Sequence, residues 1–467
     1  MYFLTYPFAN APLGERSLHE VERMRTALQG STWLGFYVVL ILFPLVAGAV
    51  FRPVGASDSL FINLSVALGY VGFSMMAMEL ALLSRVKSAT AAFGLDALQL
   101  VHKQIAFVAL LLVLIHPLAL LPAGYPWQMM LPGPQVPWVV MLGTLAAIGT
   151  VLLIVLSIWR KWLRMPYELW QITHGILAIA VLAAAAIHIL GAGRYSQLLP
   201  MRVAVVLYLT LLMSLFFYFR IAKPMQSLSR PWRVIENRSE LGRSRTLRLA
   251  PDGHSGCGFE GGQFAWINLA RWPFTYSQHP ISFSSSGELA SETGEVAFTV
   301  KALGDWSDTR VAAVQPGDRV WLDGPHGVFT IDRIQGPGYA FIAGGVGITP
   351  IHSMLATMAD RGDLRPVVLF LAGQDADSLT LREEVLALRT RLNLQVVMTL
   401  TDPPPAWDGE TGRITAQMLL RYLPEKAYRR WMYIICGPSP MIDAMESALE
   451  TIDVPPEKVH AERFDMV

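Results

Sequence analysis

Of the ten histidines in this 467-residue chain, four (His102, His116, His174 and His188) fall inside long apolar runs. An ionisable side chain is costly there and is usually functional. The four form two pairs, His102 with His116 and His174 with His188, and the spacing within each pair is the same fourteen residues. That is close to four turns of α-helix, so the members of a pair project from nearly one face and lie about 21 Å apart along the axis. The two runs cross the bilayer in the same direction. His102 therefore matches His174 in depth near one surface, and His116 matches His188 near the other. Two facing imidazoles are the axial ligands of a six-coordinate haem, so two such levels hold two haems stacked through the membrane. The residues between repeat at equal offsets: Ala106, Ala109 and Val113 on one face, Ala178, Val181 and Ala185 on the other. Small side chains there leave a slot of porphyrin width. The alternative is close helix packing with histidines bonded across it; four imidazoles at matched depth favour the haem ligands. Phe107 lies between the levels and is expected to pack in the core, and Glu79, one turn from the end of its span, to snorkel toward the surface.

The elements that position these residues follow from composition. Hydrophobic residues make up 53% of the chain and charged residues 16%, and the long apolar runs all precede Arg220, which divides a membrane half from a soluble half. Six runs are long enough to cross about 30 Å of hydrocarbon: Ser31 to Phe51, Leu60 to Ser84, Leu98 to Leu121, Pro137 to Trp159, Glu168 to Leu190 and Pro200 to Phe219. Arg23, Arg25, Arg85, Lys87, Lys103, Arg160, Lys161, Arg164, Arg220 and Lys223 fall on one side of the bilayer, whereas the other has Arg52, Arg194 and Arg202. Both termini are then cytoplasmic by the positive-inside rule, as in a bacterial inner membrane. Trp33, Trp127, Trp138, Trp159, Trp162 and Trp170 sit at span ends as interfacial anchors. The first thirty residues lack the basic start and apolar stretch of a cleavable leader, and Arg16, Glu20, Glu22, Arg23 and Arg25 predict a solvated or surface-lying helix. A net charge of +1 provides no field for nucleic acid. Two cysteines, Cys257 and Cys436, are too few for a disulfide framework or a thiolate metal site, which suits the soluble half to a reducing compartment.

Beyond Lys223 the period of the pattern changes. Short β-branched and aromatic runs such as Phe264 to Leu269 and Val296 to Val300 alternate with Gly, Ser and Pro turns, predicting an antiparallel barrel to about Asp332. From Tyr339 strands alternate with helices, the pattern of an open parallel sheet. The expected architecture is a six-helix transmembrane bundle followed by an antiparallel β-barrel FAD-binding domain and an α/β Rossmann-like NAD(P)-binding domain. The corresponding boundaries are an N-terminal segment over 1–30, a di-haem bundle over 31–222, the barrel over 226–333 and the nucleotide domain over 334–467. Gly344-Gly345-Val346-Gly347-Ile348-Thr349-Pro350 follows a strand and leads into a helix. Its glycines serve the tight turn and the close approach of backbone to phosphate that a dinucleotide needs, and Pro350 suits the helix start.

The four spaced histidines, His279-Pro280-Ile281-Ser282, the Lys301 to Ser307 segment, the Gly344 to Pro350 loop and Cys436-Gly437-Pro438 occur in the order found in the ferric reductase and NADPH oxidase superfamily, which the chain resembles from about Ser31 to Phe464. The resemblance implies two b-type haems on His102, His116, His174 and His188, with FAD and NAD(P)H in a cytoplasmic module like ferredoxin-NADP reductase. It places Ser282 near the flavin N5, where hydride arrives, and His279 at the FAD phosphate or ribitol. Lys301, Gly304, Trp306 and Ser307 would receive the pyrophosphate, with Ser307 opening a helix toward the anion. Asp323-Gly324-Pro325-His326-Gly327 would be a turn shaping the flavin pocket. Cys436 would lie beside the reacting nicotinamide carbon, and Phe464 would cover the flavin face that nicotinamide approaches. Arg382 is the basic residue near the second Rossmann strand, and the coenzyme preference inclines to NADPH.

The implied activity is electron transfer from cytoplasmic NAD(P)H through FAD and two haems to an acceptor across the bilayer. A ferric-chelate reductase and a superoxide-forming oxidase share every feature above. They differ in the pocket over the outer haem, framed by Arg52, the Leu121 to Val136 loop and Gly191 to Gln197. Leu120 stands where oxidases of eukaryotes carry a further histidine, which weakens the oxidase alternative, and the short loop without charge presents no dedicated iron-chelate site. Dioxygen, a ferric chelate, a quinone and a periplasmic partner all stay open as acceptors. A haem-free channel or structural protein with a nucleotide-sensing domain is the alternative from another class.

Overall fold

Apolar runs of this length satisfy every backbone polar group internally only as helices, which is what lipid requires. In the computed structural model, which describes residues 13–52, 59–82, 93, 95–192, 195–270, 272–274, 278–304, 306–425 and 428–463, six helices are long and apolar enough to cross a membrane. They are α1 (Leu13–Val50), α2 (Leu60–Leu82), α3 (Leu95–Leu118), α4 (Trp138–Trp159), α5 (Tyr167–Ala192) and α6 (Leu199–Phe217). The chain is an integral membrane protein. The charged stretch around Arg16 to Arg25 belongs to α1, whose helix runs unbroken into the span rather than forming a separate surface helix.

Within this unit, Met1–Ala222, helices next to each other in sequence pair off: α2 packs against α3 and α4 against α5, with α1 and α6 resting on α2. Phe73, Ala77, Ala146, Val181, Leu182, Ala185 and Leu212 form the core. Leu111, Ile148, Ile176 and Leu207 are exposed, as side chains facing acyl tails are. Phe107 belongs with these: it is 52% exposed, so the expected core contact between the histidine levels is not made.

The second unit, Lys223–Val467, contains two sheets. The first is antiparallel, in the order β4-β3-β6-β1-β2-β5, built from β1 (Trp232–Glu240), β2 (Ser244–Pro251), β3 (Phe264–Asn268), β4 (His279–Ser282), β5 (Val296–Lys301) and β6 (Arg319–His326). A bridge between Phe283 and Phe298 brings the end of β4 to β5 and closes the sheet on itself. Phe283 is fully buried there, stacked on Phe259 at 3.9 Å between ring centres. The Asp323 to His326 segment, expected as a turn, is the end of β6, because it pairs with β3 through a bulge near Phe264.

The second sheet is parallel, in the order β10-β9-β8-β7-β11-β12: β7 (Tyr339–Gly344), β8 (Val367–Gly373), β9 (Leu394–Leu400), β10 (Glu410–Thr411), β11 (Met432–Gly437) and β12 (Val459–Arg463). Strand β7 is buried throughout, with separate apolar clusters on the two faces of the sheet, as expected when helices cover both. The order reverses between β7 and β11, and ligands of such sheets bind in the crevice beyond the strand ends at that point.

The serine-rich run after β4 is consumed by structure. The Ser284 N–H donates to Ala297 at 2.8 Å, Ser285 Oγ accepts from the Ala297 N–H at 3.0 Å, and Ser286 caps α7 (Gly287–Thr293). Helix α8 (Ile348–Asp360) lies along the same run. His352 Nδ1 bonds to the Ser284 carbonyl at 2.7 Å, Ser353 Oγ donates to the Ser285 carbonyl at 2.7 Å, and the Gly287 N–H donates to Thr357 Oγ1 at 3.0 Å. Barrel and parallel sheet are thereby fixed to each other through the helix that starts at the glycine-rich loop.

Candidate functional site

In the membrane unit the level formed by His116 and His188 is the better defined. Their ring centres are 6.2 Å apart, with the planes at 78°. A metal–imidazole bond of about 2 Å on each side requires a separation of roughly this size. His116 Nδ1 donates to the Ser65 carbonyl at 2.6 Å, and His188 Nδ1 donates to the Val139 carbonyl at 2.8 Å. With Nδ1 committed, Nε2 of each ring carries the lone pair that ligates. Both rings lie against a glycine four residues beyond the accepting carbonyl. A methyl on Gly69 would stand 2.9 Å from His116 Nδ1, and one on Gly143 would stand 2.8 Å from His188 Nδ1. Glycine at these positions opens the neighbouring helix backbone to the imidazole.

The other level pairs His102 with His174, which lie within electrostatic reach of each other. His102 Nδ1 contacts the Glu79 carboxylate. His174 Nδ1 is 3.2 Å from Ser157 Oγ, which donates to the Leu153 carbonyl at 2.7 Å and accepts from the Trp170 indole at 3.3 Å. This leaves a lone pair on the hydroxyl for the imidazole N–H. Trp170 also packs on the His174 ring at 5.2 Å, so the residue expected as an interfacial anchor supports a candidate ligand. Helices α3 and α5 pack chiefly on α2 and α4 rather than on each other. Among the described residues no three His, Cys, Asp or Glu side chains gather. Two donors per level are too few for a bare ion and suit an iron that takes its remaining ligands from a macrocycle. The donor set therefore fits haem. Beyond the outer level, Tyr195 and Ser196 are buried; Tyr195 donates to Asn63 Oδ1 at 2.5 Å, and the Ser196 carbonyl accepts from Arg202 Nε at 3.0 Å.

In the second unit, His279 and Trp306 are stacked at 4.0 Å between ring centres, an aromatic wall made from two segments distant in sequence. Pro280 and Ile281 pair with Trp266 and Ala265 of β3, and Ser282 with Phe264; Ser282 is buried. Trp306 to Arg310 form a π turn. Ser307 lies at the start of this helical segment, as expected, and its Oγ accepts from the Leu303 and Gly304 N–H groups at 2.9 and 3.0 Å, so the hydroxyl also shapes the loop before it. Gly304 faces open space.

Gly344, Gly345 and Gly347 stand at the reversal between β7 and β11. Gly345 has φ +55°, which favours glycine, and a Cβ there would lie 3.5 Å from Lys301 Nζ. The ammonium of the last β5 residue is thus set against the glycine-rich loop, as a phosphate clamp would be. Thr349 Oγ1 closes the loop by donating to the Val346 carbonyl at 2.8 Å, and Pro350 occupies the first turn of α8, where a missing N–H costs nothing. Gly347 is pressed on the backbone of Cys436, Gly437 on that of Gly344, and Pro438 precedes α9 (Ser439–Thr451). Cys436 is fully buried within the core on the α8 side of the sheet. Phe464 lies outside the described residues; Arg463 before it is paired with Asp443 and Glu446.

Ser157, Gly69 and Gly143 were not singled out by sequence. Glu79 was, as an ionisable residue within a span, but not as the partner of His102.

Residues 68–185 match the family described as ferric reductase like transmembrane component, and residues 341–447 match the oxidoreductase NAD-binding domain. The reductase component of propane 2-monooxygenase from Rhodococcus jostii is 30% identical over 227 residues, 47% of this chain and 59% of that protein. NADH-cytochrome b5 reductase 1 from Debaryomyces hansenii is 32% identical over 161 residues, 34% of this chain and 56% of that protein. The chain thus spans under two thirds of these relatives. The flavohem-like FAD/NAD-binding domain of nitric oxide dioxygenase from Vibrio cholerae superposes with a TM-score of 0.45 at 23% identity, covering 50% of this chain and 98% of that one.

Proposed function

We propose, for a chain whose ferric reductase-like transmembrane component and oxidoreductase NAD-binding domain are those of the ferric reductase and NADPH oxidase superfamily, that it passes electrons from cytoplasmic NAD(P)H through FAD and two b-type haems to a small acceptor outside. FAD, when bound, converts a two-electron hydride donor into single electrons, and the haems carry these across the hydrocarbon. A membrane negative inside favours each outward electron by about 2.3 kcal/mol per 100 mV.

The chain's own residues bind, orient and insulate. Lys301 and the N–H groups of the Gly345 to Gly347 loop neutralise the nucleotide phosphates, while Ser282 offers a hydroxyl to a flavin nitrogen whose protonation changes with redox state. His279 and Trp306 would present a stacked wall to FAD. His102 with His174 and His116 with His188 would hold the irons, each imidazole aimed by its Nδ1 partner. Both termini and the nucleotide site face the cytoplasm of a bacterial inner membrane, following the excess of Arg and Lys on that side. Dioxygen and a ferric chelate are the acceptors proposed.

The observation that carries this proposal is the His116–His188 pair, with both Nδ1 atoms tied and the ring centres at 6.2 Å. Full-length protein purified in detergent is expected to show two low-spin b-type haems and one FAD per chain. NADH or NADPH should bleach the flavin and then reduce the haems without oxygen, and adding dioxygen or a ferric chelate should reoxidise them. Absence of a Soret band would favour the haem-free alternative. A stacked aromatic pair is worth about 0.5–1.5 kcal/mol beyond its buried area. Trp306→Ala is accordingly expected to weaken FAD retention up to about tenfold, measured by flavin fluorescence on dilution, with haem content unchanged.

A further inference from the structure

The four imidazoles differ in what stands behind them. At the outer level both Nδ1 atoms meet neutral backbone carbonyls, of Ser65 and Val139. At the inner level His174 meets the neutral hydroxyl of Ser157, but His102 meets the carboxylate of Glu79. Both side chains of that pair are sheltered, His102 at 22% and Glu79 at 13% exposure. We propose that Glu79 is a positioning residue that holds the inner haem at a lower reduction potential than the outer one, so that electrons delivered to the cytoplasmic level run downhill to the far side. The inference rests on the di-haem function proposed above.

Two effects act in the same direction. A carboxylate behind a ligating imidazole raises its basicity, so it donates more strongly to the metal and favours the ferric state. An ionised Glu79 also stabilises the extra positive charge of ferric over ferrous iron, and a sheltered site screens that attraction less than water would. Arg160 opposes them. Arg160 lies 5.2 and 5.5 Å from the ring centres of Tyr167 and Trp170, and Trp170 in turn packs on His174. Arg160 is thus removed from the ligand by an aromatic ring, whereas Glu79 touches His102 directly, and Coulomb energy falls with distance, so the carboxylate prevails.

Spectroelectrochemical titration of the full-length holoprotein tests this. Wild type should show two one-electron midpoints. His188→Ala should keep the inner haem alone, with a midpoint matching the lower wild-type value; a match to the higher would overturn the ordering without any change at Glu79. Glu79→Gln keeps the size of the side chain and removes its charge. It is expected to raise the lower midpoint by about tenfold in the reduction equilibrium, about 59 mV for one electron, and to leave the higher one in place. Ser157→Ala, which alters a neutral partner, should move the lower midpoint less. Two retained haems with both midpoints unchanged in Glu79→Gln would overturn the inference, as would movement of the higher midpoint only. Loss of the inner haem in Glu79→Gln would assign Glu79 to haem retention and overturn its role in setting the potential. Wild-type protein that binds no haem would defeat the underlying function instead.

Discussion

His188→Ala is expected to cut the haem content from about two to about one per chain and to reduce NAD(P)H-driven reduction of an external acceptor by at least about a hundredfold. Bleaching of the flavin by NAD(P)H should proceed at the wild-type rate. The asymmetry follows from where His188 sits. Its Nδ1 is anchored on the Val139 carbonyl and its ring faces His116 at 6.2 Å. Loss of the ring leaves one imidazole at that level in place of two, and leaves the sequence of the Lys223–Val467 unit unchanged. The checks are a pyridine haemochrome assay, stopped-flow absorbance at flavin wavelengths and acceptor turnover in vesicles. An alanine variant that kept both haems would contradict the pairing.

Gly347→Ala should break the path at its other end. A methyl on Gly347 would stand 2.2 Å from the Cys436 carbonyl oxygen and 2.5 Å from its carbon. The neighbours it would strike are backbone at the end of a buried strand, with no flexible side chain to give way. Overpacking of this kind costs about 1–3 kcal/mol. Relief requires the glycine-rich loop to move away from β11, which opens the crevice that receives the nucleotide. Flavin reduction by NADH or NADPH is expected to fall at least about tenfold, while dithionite still reduces flavin and haems to the wild-type extent. Equal kinetics in the variant would show that the loop does not bear on hydride transfer. The conformation of Gly347 itself is ordinary, at φ −60°, so the effect is purely steric.

What could be seen in the sequence was whatever helix or strand periodicity converts directly into position. His102, His116, His174 and His188 were legible because fourteen residues fix both depth and face on a helix, and the Gly345 to Pro350 loop because a strand, glycines and a helix in succession specify one turn. Contacts that depend on how one helix is rotated against another left no such trace. Glu79 was expected to snorkel, but α2 turns it onto His102. Gly69 and Gly143 were two glycines among many until the rings above them were in place. Trp170 at a span end resembles any interfacial anchor, although its indole reaches Ser157. In the second unit, Ser307 stands at a helical start as expected, but the first turn is a π turn, and its hydroxyl takes up nearby backbone N–H groups. The Asp323 segment continues a strand because pairing with β3 outweighs the local preference of Gly and Pro for a turn.

At the outer level each histidine is braced by the helix beside it in sequence: His116 of α3 leans on α2, and His188 of α5 leans on α4. Each helix pair therefore carries its own outer imidazole already aimed. A porphyrin held between them would join two pairs that each set their ligand without the other.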